Sequence, residues 1–376
     1  MLNTVKLGDV VSYEKVNGQG SNRPYVGMEN ISSETMEVVG SPEIPEKTSS
    51  TFKFDERHVL FGRLRPYLRK VLVPNFDGQC STEIFCLLPS DKVDKKFLAH
   101  WLLHPKVSTR INETSTGARM PRANMNAILG FDFPLPPLAE QQRIVAKLDA
   151  AFAEIDGAIE TAEKNVENIA YIFSQTLDGL VNANDLGKEI LLGEVCKLSQ
   201  GLAINKSTKH LLVDKSTQPL LRIKDLISNK VEQYVDDSYH NEKTRVNKED
   251  IIFTRTGSLG LVFRGMEGVL HNNSFKVEPE VSLSSDYLFW WLKHRTFLEK
   301  IHSIASKAAQ PDISHKLFSA QSIRLPTLKK QTEIVSRIEK LLPNIQSLNK
   351  LYRDKVKSFV SLKSAILAQE LQSEAA

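Results

Sequence analysis

The sequence predicts an α+β protein: two similar mixed α/β domains, each followed by a long helix, with the two helices pairing as an antiparallel coiled coil of approximate two-fold symmetry. Three observations predict it. A proline-rich hinge occurs twice, scattered positions upstream of it match at nearly the same spacing, and each hinge opens onto a helix patterned in heptads.

The first hinge reads Phe131-Asp132-Phe133-Pro134-Leu135-Pro136-Pro137-Leu138-Ala139-Glu140-Gln141-Gln142-Arg143-Ile144-Val145, and it is echoed by Ile323-Arg324-Leu325-Pro326-Thr327-Leu328-Lys329-Lys330-Gln331-Thr332-Glu333-Ile334-Val335. One shift of 190 residues relates Leu135 to Leu325, Pro136 to Pro326, Leu138 to Leu328, Gln141 to Gln331 and Ile144 to Ile334. The same shift relates Phe85 to Phe275, Pro89 to Pro279, Trp101 to Trp291 and His104 to His294. With small changes of spacing, Leu7-Gly8-Asp9-Val10 answers Leu192-Gly193-Glu194-Val195, and Phe61-Gly62-Arg63 answers Phe253-Thr254-Arg255. Two complete copies are implied, since solenoid arrays repeat every 20 to 50 residues.

Each copy opens with short strands separated by Gly, Pro, Asn and Ser. Tyr25-Val26-Gly27-Met28 and His58-Val59-Leu60-Phe61 read as strands, matched by Leu220-Leu221-Arg222-Ile223 and Asp250-Ile251-Ile252-Phe253. A helix follows, carrying Phe97 to Leu103 in the first copy and Tyr287 to Leu292 in the second. Trp101 and Trp291 lie on the apolar side of these helices and read as core anchors, and His104 and His294 as groups that satisfy a helix end or a nearby carbonyl.

After the first hinge, Leu148, Phe152, Ile155, Ile159, Ala162, Val166, Ile169 and Phe173 alternate spacings of four and three. This is the seam of a helix packed along one partner. The second copy keeps the register with Ile338, Leu342, Ile345, Asn349, Tyr352, Val356 and Phe359. Asn349 costs some stability in such a seam and helps to fix alignment. Pro343 is expected to kink or interrupt the second helix near its start, because it lacks an amide donor and clashes with the preceding turn. About 40 residues at ~1.5 Å each give a rod of roughly 60 Å, a spacer between two domains.

Composition sets bounds on function. The 376 residues are 41% hydrophobic and 25% charged, with a net charge of +4, so an anionic partner must meet local patches. The start lacks a secretory apolar run and no stretch approaches 18 apolar residues, which points to the cytoplasm and away from membranes. Cys80, Cys86 and Cys196 are too few and scattered for a metal site or a disulfide framework, and read as core fillers or partly exposed thiols.

Basic, acid-free windows fall at matching places. Residues 57–76 carry Arg57, Arg63, Arg65, Arg69 and Lys70, and residues 251–266 carry Arg255 and Arg264. Before each hinge lies another such loop, with Thr116, Arg119 and Arg122 in the first copy and Lys307 and Gln310 in the second. Arginine forks suit phosphate and guanine, and amides and hydroxyls suit other base edges. The candidate DNA-binding residues are therefore Arg63, Arg65, Thr116, Arg119 and Arg122, and Arg255, Thr256, Ser258, Lys307 and Gln310.

The doubled hinge and heptad helix resemble those of the specificity subunit of type I restriction-modification enzymes, and the resemblance covers essentially the whole chain. It implies that residues 1–136 and 185–326 are target-recognition domains, each reading half of a split, asymmetric double-stranded DNA sequence. Residues 137–184 and 327–376 would then be hinges and helices that set the unspecified spacer and dock two modification (methyltransferase) subunits. Restriction/translocase subunits complete the assembly in defence against foreign DNA. No cofactor belongs to this chain under that reading; S-adenosylmethionine, ATP and Mg2+ act through other subunits.

The motifs that two other function classes require are missing. A methyltransferase needs a glycine-rich cofactor loop and an Asn/Asp-Pro-Pro-aromatic tetrapeptide, whereas Leu135-Pro136-Pro137-Leu138 has neither the amide nor the aromatic. A translocase needs a Gly-x-x-x-x-Gly-Lys-Ser/Thr loop, and Thr256-Gly257-Ser258-Leu259-Gly260 lacks the lysine. A coiled-coil adaptor that binds only protein is the alternative, and the repeated basic loops count against it.

Overall fold

A computed structural model describes residues 4–46, 50–117, 119–183, 185–306 and 311–372. The chain divides into two compact units, residues 1–163 with 353–376, and residues 164–352. Each contains one of the two copies and parts of both long helices. The boundaries expected from the sequence fall at the hinges, whereas the units divide each long helix along its length.

The first copy runs β1 (Thr4–Lys6), β2 (Val11–Glu14), β3 (Tyr25–Val26), β4 (Thr51–Phe54), β5 (Val59–Gly62), β6 (Val71–Leu72), β7 (Gly78–Ser81), β8 (Ile84–Pro89), α1 (Lys95–Leu103), α2 (Pro105–Glu113), α3 (Met125–Leu129) and β9 (Asp132–Pro134). A four-stranded antiparallel sheet has the order β2-β8-β5-β6, and a three-stranded one the order β3-β7-β4. Strand β1 pairs antiparallel with β9, so both ends of the copy meet at the hinge. Phe61 and Phe85 stack across β5 and β8 within a core that takes in Trp101, 4% exposed. All three cysteines are buried, with the Sγ atoms of Cys80 and Cys86 3.4 Å apart and the Cys80 thiol pushed well above its usual range by its neighbour and by burial.

The long helix α4 (Leu138–Val181) leads to the second copy: β10 (Lys188–Leu191), α5 (Leu192–Val195), β11 (Cys196–Gln200), β12 (Leu212–Val213), β13 (Gln218–Leu221), α6 (Ile223–Ser228), β14 (Tyr234–Val235), β15 (Arg245–Val246), β16 (Ile251–Thr254), β17 (Val262–Phe263), β18 (Gly268–Leu270), β19 (Ser274–Pro279), α7 (Ser285–Trp291), α8 (Arg295–Ala305), α9 (His315–Ser319) and β20 (Ser322–Leu325). Its sheet β11-β19-β16-β17 repeats the first copy, as do the β10–β20 pair and the stacked Phe253 and Phe275. The difference lies in the other sheet, where β12 and β14 extend β13-β18-β15 to five strands. The expected strands over Tyr25–Met28 and Leu220–Ile223 end early, at Val26 and Leu221. Met28 instead enters a 3-10 turn and Ile223 starts α6.

The second long helix, α10 (Leu328–Gln372), runs through Pro343, so the interruption that was one of the two expected outcomes does not occur. Pro343 and Glu339, whose carbonyl loses its helical donor, are both exposed, so the freed group lies on the side of the helix that solvent reaches. Every heptad position named above is buried or half-buried, Asn349 included, while the positions between them are mostly exposed. In the first unit, Ile144, Val145 and Leu148 of α4 share a core with Leu367 and Leu371 of α10. Lys147 pairs with Glu370 at 2.7 Å and Asp156 with Lys363 at 2.8 Å, an antiparallel register. In the second unit, Leu177 and Val181 share a core with Ile334, Val335 and Ile338.

A single side chain anchors each hinge. Gln141 is fully buried; its Oε1 accepts from the Asp94 amide at 2.8 Å, and its Nε2 donates to the carbonyls of Lys92 and Pro136, both at 2.9 Å. Gln331 does the same with the Ser284 amide at 2.7 Å and the carbonyls of Ser282 at 3.0 Å and Pro326 at 2.9 Å. All three partners in one copy lie 190 residues from those in the other. The hinge glutamines therefore lock each long helix to its own domain.

Candidate nucleic-acid interface

Three loops converge in each copy. In the first they are the segment after β5, the turn before β8 and the segment before α3. Arg63 N–H donates to the Glu83 carbonyl and Ala123 N–H to the Arg63 carbonyl, both at 2.9 Å, while Arg65 N–H donates to Pro121 at 2.7 Å. Arg65 sits in the left-handed region, φ +50°, and points away from the core. Thr116 and Arg122 exchange both backbone hydrogen bonds, which closes the third loop on itself.

Side chains complete the junction. Glu83 accepts from Arg122 Nε at 3.0 Å and Nη2 at 2.8 Å, and its other face lies 3.8 Å from Arg63 Nε. The Arg63 guanidinium rests 5.5 Å above the Phe85 ring. A cavity of about 280 Å³ opens here, lined by Lys15, Arg63, Thr116, Arg122, Asn124 and Asn126 among others. A polar, cationic recess of this kind suits a polyanion or base edges.

The second copy rebuilds the junction from the segment after β16, the turn before β19 and the segment before α9. Arg255 N–H donates to Asn273 at 2.9 Å and Ile313 N–H to Arg255 at 3.0 Å. The Arg255 guanidinium pairs with Asp312, and Thr256 Oγ1 donates to the Pro311 carbonyl at 3.3 Å. His315 packs edge-on against Phe275 with ring centroids 5.0 Å apart; burial and then the Arg255 charge push its pKa down. Position by position, Glu83 becomes Asn273, Arg122 becomes Asp312 and Met125 becomes His315.

Of the ten candidate residues, the structure brings Arg63, Arg65, Thr116 and Arg122 together at the first junction, and Arg255 and Thr256 at the second. Arg119 is exposed, and neither it nor Arg65 has a side-chain partner among the described residues. Ser258 is exposed in the glycine-containing turn, its carbonyl accepting from Thr254 Oγ1. Lys307 and Gln310 lie outside the described residues. The other cations of the basic windows are engaged within the fold: Arg57 with Asp55, Arg69 with Glu34 and the Leu103 carbonyl, Lys70 with the Met28 carbonyl, and Arg264 with Asp286.

The family model for the type I restriction modification DNA specificity domain matches twice, over residues 2–168 and 187–356. The chain belongs to the type I specificity family. Both copies of the junction lie inside matched segments. Among curated relatives, the Escherichia coli type I restriction enzyme EcoDI specificity subunit is 28% identical over 188 residues, half of this chain and 39% of that protein. The EcoKI specificity subunit of Escherichia coli K12 is 25% identical over 331 residues, spanning 79% of this chain and 69% of that one. Among solved structures, a chain described under complex assembly and conformational transition of the type I R-M system aligns with a TM-score of 0.81 at 21% identity, covering 98% of this chain and 97% of that one. The HsdS subunit from Thermoanaerobacter tengcongensis aligns with a TM-score of 0.56 at 21% identity, covering 99% and 97%. These likenesses establish the same fold.

Within this family member, reading the sequence missed the acidic half of each junction. Glu83 and Asp312 lie far in sequence from Arg63 and Arg255, and a search for basic windows passes over carboxylates. The paired shift from Glu83 and Arg122 to Asn273 and Asp312 was the available signal, since it removes charge at one and reverses it at the other of two positions that the repeat aligns.

Proposed function

We propose that this chain is the DNA sequence-specificity subunit of a type I restriction-modification complex. Each globular domain reads one half of a bipartite, asymmetric target, and the paired helices set the spacer and dock two modification subunits. The observation that carries the reading is the duplicated three-loop junction, alike in backbone and different in charged side chains, inside a chain of the specificity family. A shared scaffold with copy-specific donors is what asymmetric readout needs.

The chain acts without chemistry of its own in this proposal. Double-stranded DNA, the modification subunits and the restriction/translocase subunits are its partners, and S-adenosylmethionine, ATP and Mg2+ are used by those other subunits. The test is long-read sequencing of methylated DNA from cells that express this chain with its modification partners. A split adenine-methylated motif is the expected result. No such motif, or catalysis by the purified chain alone, overturns the reading.

A further inference from the structure

In each copy a carboxylate holds an arginine side chain at the loop junction, but the carboxylate comes from a different loop. In the first copy Glu83, in the turn before β8, takes the Nε and Nη2 edge of Arg122, from the loop before α3. That grip leaves Nη1, whose one contact among the described residues is the Met120 carbonyl at 3.4 Å, together with the outer face of Nη2. The Arg122 side chain is 36% exposed and lines the cavity. In the second copy the loop before α9 supplies the carboxylate, Asp312, and the loop after β16 supplies the arginine, Arg255. The position of Glu83 is taken by Asn273, so the charge has changed at both aligned positions and each copy keeps its own pair.

An arginine on a flexible loop loses rotamer entropy when it forms two parallel hydrogen bonds to a base edge. A two-point carboxylate grip such as Glu83 makes on Arg122 fixes the guanidinium plane and removes much of that cost, and the single Nη2 contact of Asp312 restrains the direction of the Arg255 fork. The complementary base edge carries two acceptors side by side, as guanine does with O6 and N7 in the major groove. We propose that Glu83 and Asp312 are specificity-determining positioning residues. Glu83 aims Arg122 and Asp312 aims Arg255 at such an acceptor pair, and placing the fork on different loops shifts the base position that each copy reads. This rests on the DNA-specificity reading above.

The test uses the chain assembled with its modification partners and reads the methylated motif genome-wide. Glu83→Gln keeps shape and removes the charge that holds the fork. Preference at one base position in one half-site then falls about tenfold, near the discrimination a bidentate contact supplies, while the other half-site is unchanged. Asp312→Asn does the same in the opposite half. To separate readout from folding, the reversed pair Glu83→Arg with Arg122→Glu keeps the ion pair and moves the fork to the turn before β8. Methylation at a motif altered in that one half, with the other half unchanged, is expected. An unaltered motif in the reversed variant, or loosening of both half-sites together in Glu83→Gln, overturns the assignment. A wild-type complex that yields no split motif overturns the underlying functional reading instead.

Discussion

Gln141 and Gln331 show how much a repeat can hide in one residue. A run of prolines leaves carbonyls without regular partners, and a buried amide with one acceptor and two donors supplies what the hinge and the adjoining helix start leave open. Gln141→Leu strands the Asp94 amide and two carbonyls, so the urea midpoint should fall by an amount equivalent to about 2–4 kcal/mol. Gln331→Leu should cost about the same, and a much smaller loss in one copy would show that the two locks are unequal. Ionisable groups make a second residue-scale prediction. Lys293 lies 4.0 Å above the Phe289 ring, and burial followed by the Arg264 charge lowers its pKa to about 8. Because the folded value lies below the ordinary one near 10.5, the unfolded chain binds more protons between the two and stability rises with pH across that window. Lys293→Met should therefore stabilise the protein at pH 7, with the advantage shrinking towards pH 10.5 in denaturant melts. Asp149 gives the same sign in a lower window, but as a favourable pairing and not a burial penalty. His100, then Lys96, hold its carboxyl down to about 2 against the opposing effect of burial, so its contribution is present above pH ~4 and lost as pH falls towards 2.

Among elements, the long helices are the most legible in the sequence and the loops the least. A heptad seam depends on local spacing alone, so the order of residues names each seam position, and each is buried or half-buried. Pro343 departs from expectation because the rule that proline breaks helices assumes that the freed carbonyl has nowhere to turn. On the exposed face of α10 it is open to solvent. Pro343→Ala should raise the thermal midpoint, by the equivalent of about 1–3 kcal/mol at most, because the amide returns and the clash goes. An unchanged or lowered midpoint would mean that the proline costs α10 nothing. The basic windows hold more cations than the junctions use. Arg57, Arg69, Lys70 and Arg264 serve the fold, and only Arg65 and Arg119 stand with their side chains unpartnered among the described residues of the named set. If Arg119 meets phosphate, Arg119→Ala should weaken DNA binding uniformly across sequences and reduce the salt slope by about one; if it meets a base, one position of the motif should relax.

For the whole molecule, duplication separates scaffold from readout. Both copies keep the four-stranded sheet, the terminal strand pair, the stacked phenylalanines and the hinge glutamine, while the second adds two strands along one edge and carries different charges at the junction. Exchanging residues 1–136 for the matching domain of a relative should change one half of the methylated motif and leave the other intact. A change in both halves would sink modular readout. Inserting one heptad between Leu148 and Phe173, with a matching one in α10, should lengthen the unspecified spacer, and an unchanged spacer would show that the helices are not the ruler. The sequence by itself determined the duplication, the two long helices and the family, because hinge motif and heptad spacing are properties of neighbouring residues. Only the tertiary structure decided which arginines are held by carboxylates, that Gln141 and Gln331 fasten the hinges, and that Pro343 sits within an unbroken helix. Those outcomes depend on which groups meet across tens of residues and on which carbonyls water can reach, and neither is written in local order.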